Sequence, residues 1–264
     1  MRKISEMKWK LKLDLWETED YNSNLAPLIS EIASKIDSLV GKPPVLGYKE
    51  LWIVNDPYYG MRLYTPFNDD QYKLGLTVGH LTYGKVTFQF ANLLSLLYTD
   101  PRQVTWFSQS LAHMASFWFL NYMAALWETN CPAPKYEGQY KTFLQLKSEK
   151  IKTAYQNIDI MLNLASNEWI REEILQLSNN SNGNFAPTVM FDHIGLELLP
   201  IFEDEENWKL LAYTGKATSK PIQDIQDTRT RPRAKPDFEL LRSVVPSGLK
   251  PVVDRIVEKL MLKS

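Results

Sequence analysis

The chain has 264 residues, 44% of them apolar and 12% aromatic, enough to bury a sizeable core and too many for an intrinsically disordered chain. Its 30 basic and 31 acidic residues nearly cancel, so no global field draws it to nucleic acid, an anionic membrane or a polyanionic substrate, and a charged partner must be met locally. A single cysteine, Cys131, excludes an intramolecular disulfide and a multi-cysteine metal knuckle, and fits a reducing compartment.

The opening Met1-Arg2-Lys3-Ile4-Ser5-Glu6 is charged and leads into Lys8, Lys10 and Lys12, not into the apolar run of a secretory signal. With the lone cysteine, this predicts a cytoplasmic location. Trp9 to Leu15 alternates apolar with charged residues, the period of a strand with one face on a core and the other in water. Leu25 to Val40 carries Leu28, Ile29, Ile32, Ala33, Ile36 and Leu39 at helical spacing and stops at Gly41 and Pro43-Pro44. Leu51 to Val54, Met61 to Tyr64 and Tyr72 to Val78 read as short strands divided by turn signals at Asn55-Asp56-Pro57, Pro66 and Asn68-Asp69-Asp70. A small sheet is the economical reading.

From Val86 the pattern is helical: Val86 to Tyr98, a break at Asp100-Pro101, Val104 to Trp127, Tyr140 to Asn157 and onward, and Glu168 to Leu177. After an asparagine-rich loop at 178–184 come Pro187 to Phe202 and Glu205 to Tyr213, then a final helix from Leu249 to Leu262. Val104 to Trp127 contains no charged residue and is long enough to span a bilayer. Its Thr105, Ser108, Gln109, Ser110, His113, Ser116 and Asn121 are too many polar groups for a lipid-facing helix, so it reads as a buried helix and no membrane association is expected. The chain therefore divides into an α+β domain over 1–213, with a small N-terminal mixed sheet packed on a mainly helical body. An extended or flexible linker follows over 214–236, then a C-terminal helical segment over 237–264 that docks on the main domain.

The stretch Tyr83-Gly84-Lys85-Val86-Thr87-Phe88-Gln89-Phe90-Ala91-Asn92-Leu93-Leu94-Ser95-Leu96-Leu97 resembles the part of bacterial zincin-like proteins where a strand leads into the helix that carries His-Glu-x-x-His. Trp106-Phe107-Ser108-Gln109-Ser110-Leu111-Ala112-His113 is similar to the second helix of such proteins, which supplies an acidic third ligand. Leu198-Leu199-Pro200-Ile201-Phe202-Glu203 with Trp208, and Val245-Pro246 leading into Val252-Val253-Asp254-Arg255-Ile256-Val257, are similar in kind. The resemblance implies a zincin-like fold with the diagnostic motif missing. Two imidazoles four residues apart grip one zinc, the intervening glutamate is the general base, and a carboxylate completes the site. Here Asn92 and Leu96 stand for the histidines, Leu93 for the base, and His113 near the third ligand. An amide and an aliphatic group do not hold zinc, so the expectation is a catalytically inactive metallopeptidase-like protein without cofactor or metal that binds a protein or peptide as a scaffold.

Gln89, Asn92, Ser95 and Thr99 form a polar stripe on that helix, either a remnant pocket with His113 or groups that satisfy core backbones. The rival function is a metal-dependent hydrolase with a relocated site: His193 and Glu197 lie one helical turn apart beside Asp192, and need His113 or His80 to converge on them. Glu203-Asp204-Glu205-Glu206 complements a helix N-terminus. No Gly-rich phosphate loop, dinucleotide fingerprint or Gly-x-Ser-x-Gly elbow occurs. The arm from Lys216 to Lys235 mixes Arg229, Arg231 and Arg233 with Asp224 and Asp227 and holds no stacking aromatic, so no nucleic-acid partner is expected. Trp52, Tyr58-Tyr59 and the Phe117-Trp118-Phe119 cluster with Tyr122 are read mostly as core, with an exposed recognition spot at Tyr58-Tyr59-Gly60 as the alternative.

Overall fold

The computed structural model describes residues 8–15, 19–58, 60–64, 70–78, 83–161, 188–218 and 235–260. The expected helix at 168–177, the asparagine-rich loop, His80 and most of the 214–236 linker lie outside the described residues.

Four strands form a mixed sheet in the order β1-β2-β4-β3: β1 (Lys10–Asp14), β2 (Glu50–Asn55), β3 (Arg62–Leu63) and β4 (Gln71–Leu76). β1, β2 and β4 run parallel, and β3 pairs antiparallel with β4. Parallel neighbours need a crossover, and between β1 and β2 it is α1 (Glu19–Val40). This helix begins a turn and a half before the expected Leu25 and carries Pro27 inside it. A proline there removes one backbone hydrogen bond, and Leu25, Leu28, Ile29, Ile32 and Ile36, all 4% exposed or less, supply the burial that outweighs it. Period-2 alternation sorts the sheet's faces. Leu51, Ile53, Leu63, Tyr72 and Leu74 enter the core, while Lys10 and Lys12 are exposed and Glu50, Trp52, Gln71 and Lys73 are only half-buried. Trp52, expected in the core, thus lies on the outer face.

The helical body begins with α2 (Tyr83–Tyr98) and α3 (Trp106–Thr129), apolar on nearly every face and buried on nearly every face. Thr105 caps α3 in a reciprocal capping box with Ser108. No helix among the described residues is long and apolar enough to cross a membrane. α4 (Tyr140–Met161) and α5 (Thr188–Leu198) pack against this pair, and α5 runs on into a 3-10 turn, Leu199–Ile201. The acidic run places Asp204 as the cap of a 3-10 helix, Glu205–Leu210, which continues into an α-helical turn, Leu211–Thr214, over the helix expected from Glu205 to Tyr213. α6 (Phe238–Val244) falls within the expected C-terminal helical segment, 237–264, where the sequence places no separate helix. Asp237 caps it by accepting from the Leu240 amide at 2.8 Å, and Phe238 sets its ring 4.9 Å from that of Phe107. α7 (Lys250–Lys259) follows, and Leu241, Val245, Val252, Val253 and Ile256 join the same apolar cluster as the sheet and the helices. The chain is thus an α+β protein with a small mixed sheet on a mostly helical body.

Tyr98, 1% exposed, ties the sheet side to the helices: its hydroxyl accepts from Trp9 Nε1 at 3.3 Å and donates to Asp37 Oδ1 at 3.2 Å. Burial drives its pKa far above the ordinary tyrosine value, and burial also pushes Tyr72 up to about 12. In the unfolded chain both ionise near pH 10. Their contribution to stability is therefore complete below about pH 10 and is lost as pH rises toward 12 and beyond, because the unfolded state sheds protons that the folded state keeps. The urea midpoint should fall between pH 9 and pH 11, and Tyr98→Phe should make that fall shallower; an equal fall in both proteins would refute the assignment to Tyr98.

Candidate functional site

The candidate site lies where α2, α3, α4 and α5 meet. α2 and α3 are joined by Ser116, whose hydroxyl donates to the Phe88 carbonyl at 2.8 Å and to the Ala112 carbonyl at 3.0 Å. α5 reaches α3 through Gly195. A Cβ built on this glycine would stand 2.8 Å from the Met114 nitrogen and 3.1 Å from both the His113 carbonyl carbon and the Ser110 oxygen, so the two backbones come closer than any side chain allows.

That approach sets Asp192 beside His113. Their Oδ1 and Nδ1 are 2.7 Å apart, and the residues are 4% and 2% exposed. A carboxylate only accepts, so the imidazole donates through Nδ1. The second carboxylate oxygen lies 3.4 Å from Nζ of Lys150 on α4, whose ammonium also sits 4.7 Å from the centre of the Phe88 ring. Phe88 and Phe191 wall the imidazole with ring centres 5.9 and 5.7 Å away. The result is a buried His–Asp pair whose carboxylate also meets a partly exposed lysine.

A carboxylate on Nδ1 fixes the imidazole's orientation and tautomer, which is how both general bases and metal-bound histidines are held. His113 and Asp192 are closed off from solvent, and the nearby hydroxyls are committed to backbone carbonyls: Ser110 to Trp106 at 2.9 Å, and Ser116 as above. Moreover, among the described residues no three His, Cys, Asp or Glu side chains gather as a metal site.

The other expected site residues are found apart. His193 turns its Nε2 to the Ala154 carbonyl; a carbonyl cannot donate, so this nitrogen carries the proton and offers no lone pair. Glu197 pairs with Lys259 at 2.7 Å. His113, His193 and Glu197 thus each serve a different partner. On α2, Gln89 clamps Thr77 after β4, accepting from its amide at 2.7 Å and donating to its carbonyl at 3.3 Å. Ser95 and Thr99 donate to the carbonyls of Ala91 and Leu96. Three of the four stripe residues therefore bond backbone. Asn92 differs: it is 1% exposed and neither amide atom has a hydrogen-bond partner among the described residues. Leu93 and Leu96 are each 1% exposed. Tyr58, read mostly as core, is instead 91% exposed, and Tyr59 lies outside the described residues.

Lys150 was not anticipated at the site. Its sequence signal is only a lysine on a polar helix, and nothing in the chain pairs it with a residue forty-two positions on. No family model matches the chain, no curated protein matches it, and no solved structure matches it.

Proposed function

We propose that the chain is a zincin-like protein whose metal motif has been replaced, and that it acts as a protein- or peptide-binding scaffold and not as a metallopeptidase. One observation carries the reading: His113, at the position near the third ligand, is held by Asp192 inside a closed helical core. The positions that would supply the other ligands and the base are Asn92, Leu96 and Leu93, all buried on α2, with a short strand, β4, leading toward that helix. An amide and an alkyl group there neither bind a divalent cation nor accept a proton from its water. A chain with a capable core and no metal chemistry retains its surfaces as the means of acting, and a cytoplasmic adaptor is the role that fits. Metal analysis of the purified protein tests this. The expected result is a zinc, iron or manganese content well below one ion per chain; a stoichiometric ion would favour a relocated hydrolase centre instead.

A further inference from the structure

The outer face of the sheet carries a row of alternating cations and rings. The register aligns Lys12 on β1 with Trp52 on β2 and Trp52 with Lys73 on β4, and Tyr64 continues the row by donating its amide to the Lys73 carbonyl at 3.0 Å. Lys12 and Lys73 approach Trp52 from its two neighbouring strands, with Nζ 4.4 and 4.5 Å from the ring centre, and Lys73 also lies 4.7 Å from the Tyr64 ring. Beside the row is a groove of about 660 Å³, lined in part by Lys8, Lys10, Lys12, Lys49, Glu50 and Asp70. Lys8 is taken up by Asp37 at 3.0 Å, but Lys10, Lys12 and Lys73 have no carboxylate partner among the described residues. Among the described residues β1 is also the end strand of the sheet, paired with β2 alone.

We infer that this edge is a docking site for an extended acidic segment of a partner protein, which lies along β1 as an added strand. The periods agree. Side chains on one face of an extended chain recur about every 7 Å, as Lys10 and Lys12 do on β1, so carboxylates at alternate positions of the incoming strand meet them in turn. Lys73, two strands further in, stands about 10 Å from Lys12 and extends the positive field over the face. Lysines on an edge strand also deter edge-to-edge pairing. That accounts for Lys10 and Lys12, but not for a cationic groove beside them or for Lys73 and Tyr64 within the sheet. A nucleic-acid strand fits less well: Glu50 and Asp70 interrupt the positive lining, and lysines already cover Trp52 where a base would stack.

The inference shares with the scaffold reading only the expectation of a protein partner, and the presence or absence of a metal leaves it untouched. The test is fluorescence anisotropy with a labelled peptide of about eight residues alternating glutamate with threonine, beside its lysine-threonine counterpart and an oligo-dT of similar length. The acidic peptide alone should bind, and more weakly as salt is raised. Lys10→Glu with Lys12→Glu should weaken it at least about tenfold, with Lys209→Glu as an unaffected control. If the reversed protein does not fold by circular dichroism, Lys10→Gln with Lys12→Gln should still weaken binding about threefold. No binding of the acidic peptide, equal binding by the substituted protein, or tighter binding of oligo-dT would overturn the proposal.

Discussion

Asp192→Ala should destabilise the protein by about 1–3 kcal/mol, because it leaves His113 buried beside two aromatic rings with no acceptor for its Nδ1 proton. Lys150 is partly exposed and can turn to water, so the loss belongs mainly to the imidazole. Asp192→Asn, which still accepts a hydrogen bond, should cost less. Replacing both His113 and Asp192 with leucine should recover much of the loss, since desolvating the pair offsets most of its attraction. Urea unfolding of the four proteins checks this order. A neutral Asp192→Ala would mean that the pair does not hold α3 and α5 together.

Gly195→Val is expected to have a comparable effect, about 3 kcal/mol of destabilisation. The atoms that meet its Cβ are backbone atoms of Ser110, His113 and Met114, which have no rotamer to change, so α5 must move away from α3. That movement also lengthens the His113–Asp192 bond carried on the same two helices. Gly195→Ala gains about 1 kcal/mol of helix propensity against the same clash and should be milder. Thermal unfolding would show the ranking; alanine or valine at 195 with wild-type stability would contradict the close approach.

The periodic elements could be read directly. Alternation found β1, and three- and four-residue spacing found α1, because a single buried face writes its period into the sequence. α6 is not distinguished as a separate helix within the expected segment 237–264 because it is seven residues long and shows only a cap, Asp237, and a pair of leucines between two prolines. Trp52 reads as core among the aromatic residues, yet the pleat turns it outward between two lysines. The site was legible in parts. His113 stood out as a histidine on an apolar helix, and Asp192 was visible beside His193. Their pairing depends on the packing of α3 against α5 at Gly195, and no local signal in either segment specifies a contact across seventy-nine positions.

The central claim is that His113 is engaged by a carboxylate and not by a cation, and elemental analysis of the native protein beside His113→Ala and His193→Ala addresses it most directly. The account predicts the same trace metal content in all three, far below one ion per chain. One ion per native chain, lost in both substituted proteins, would contradict it.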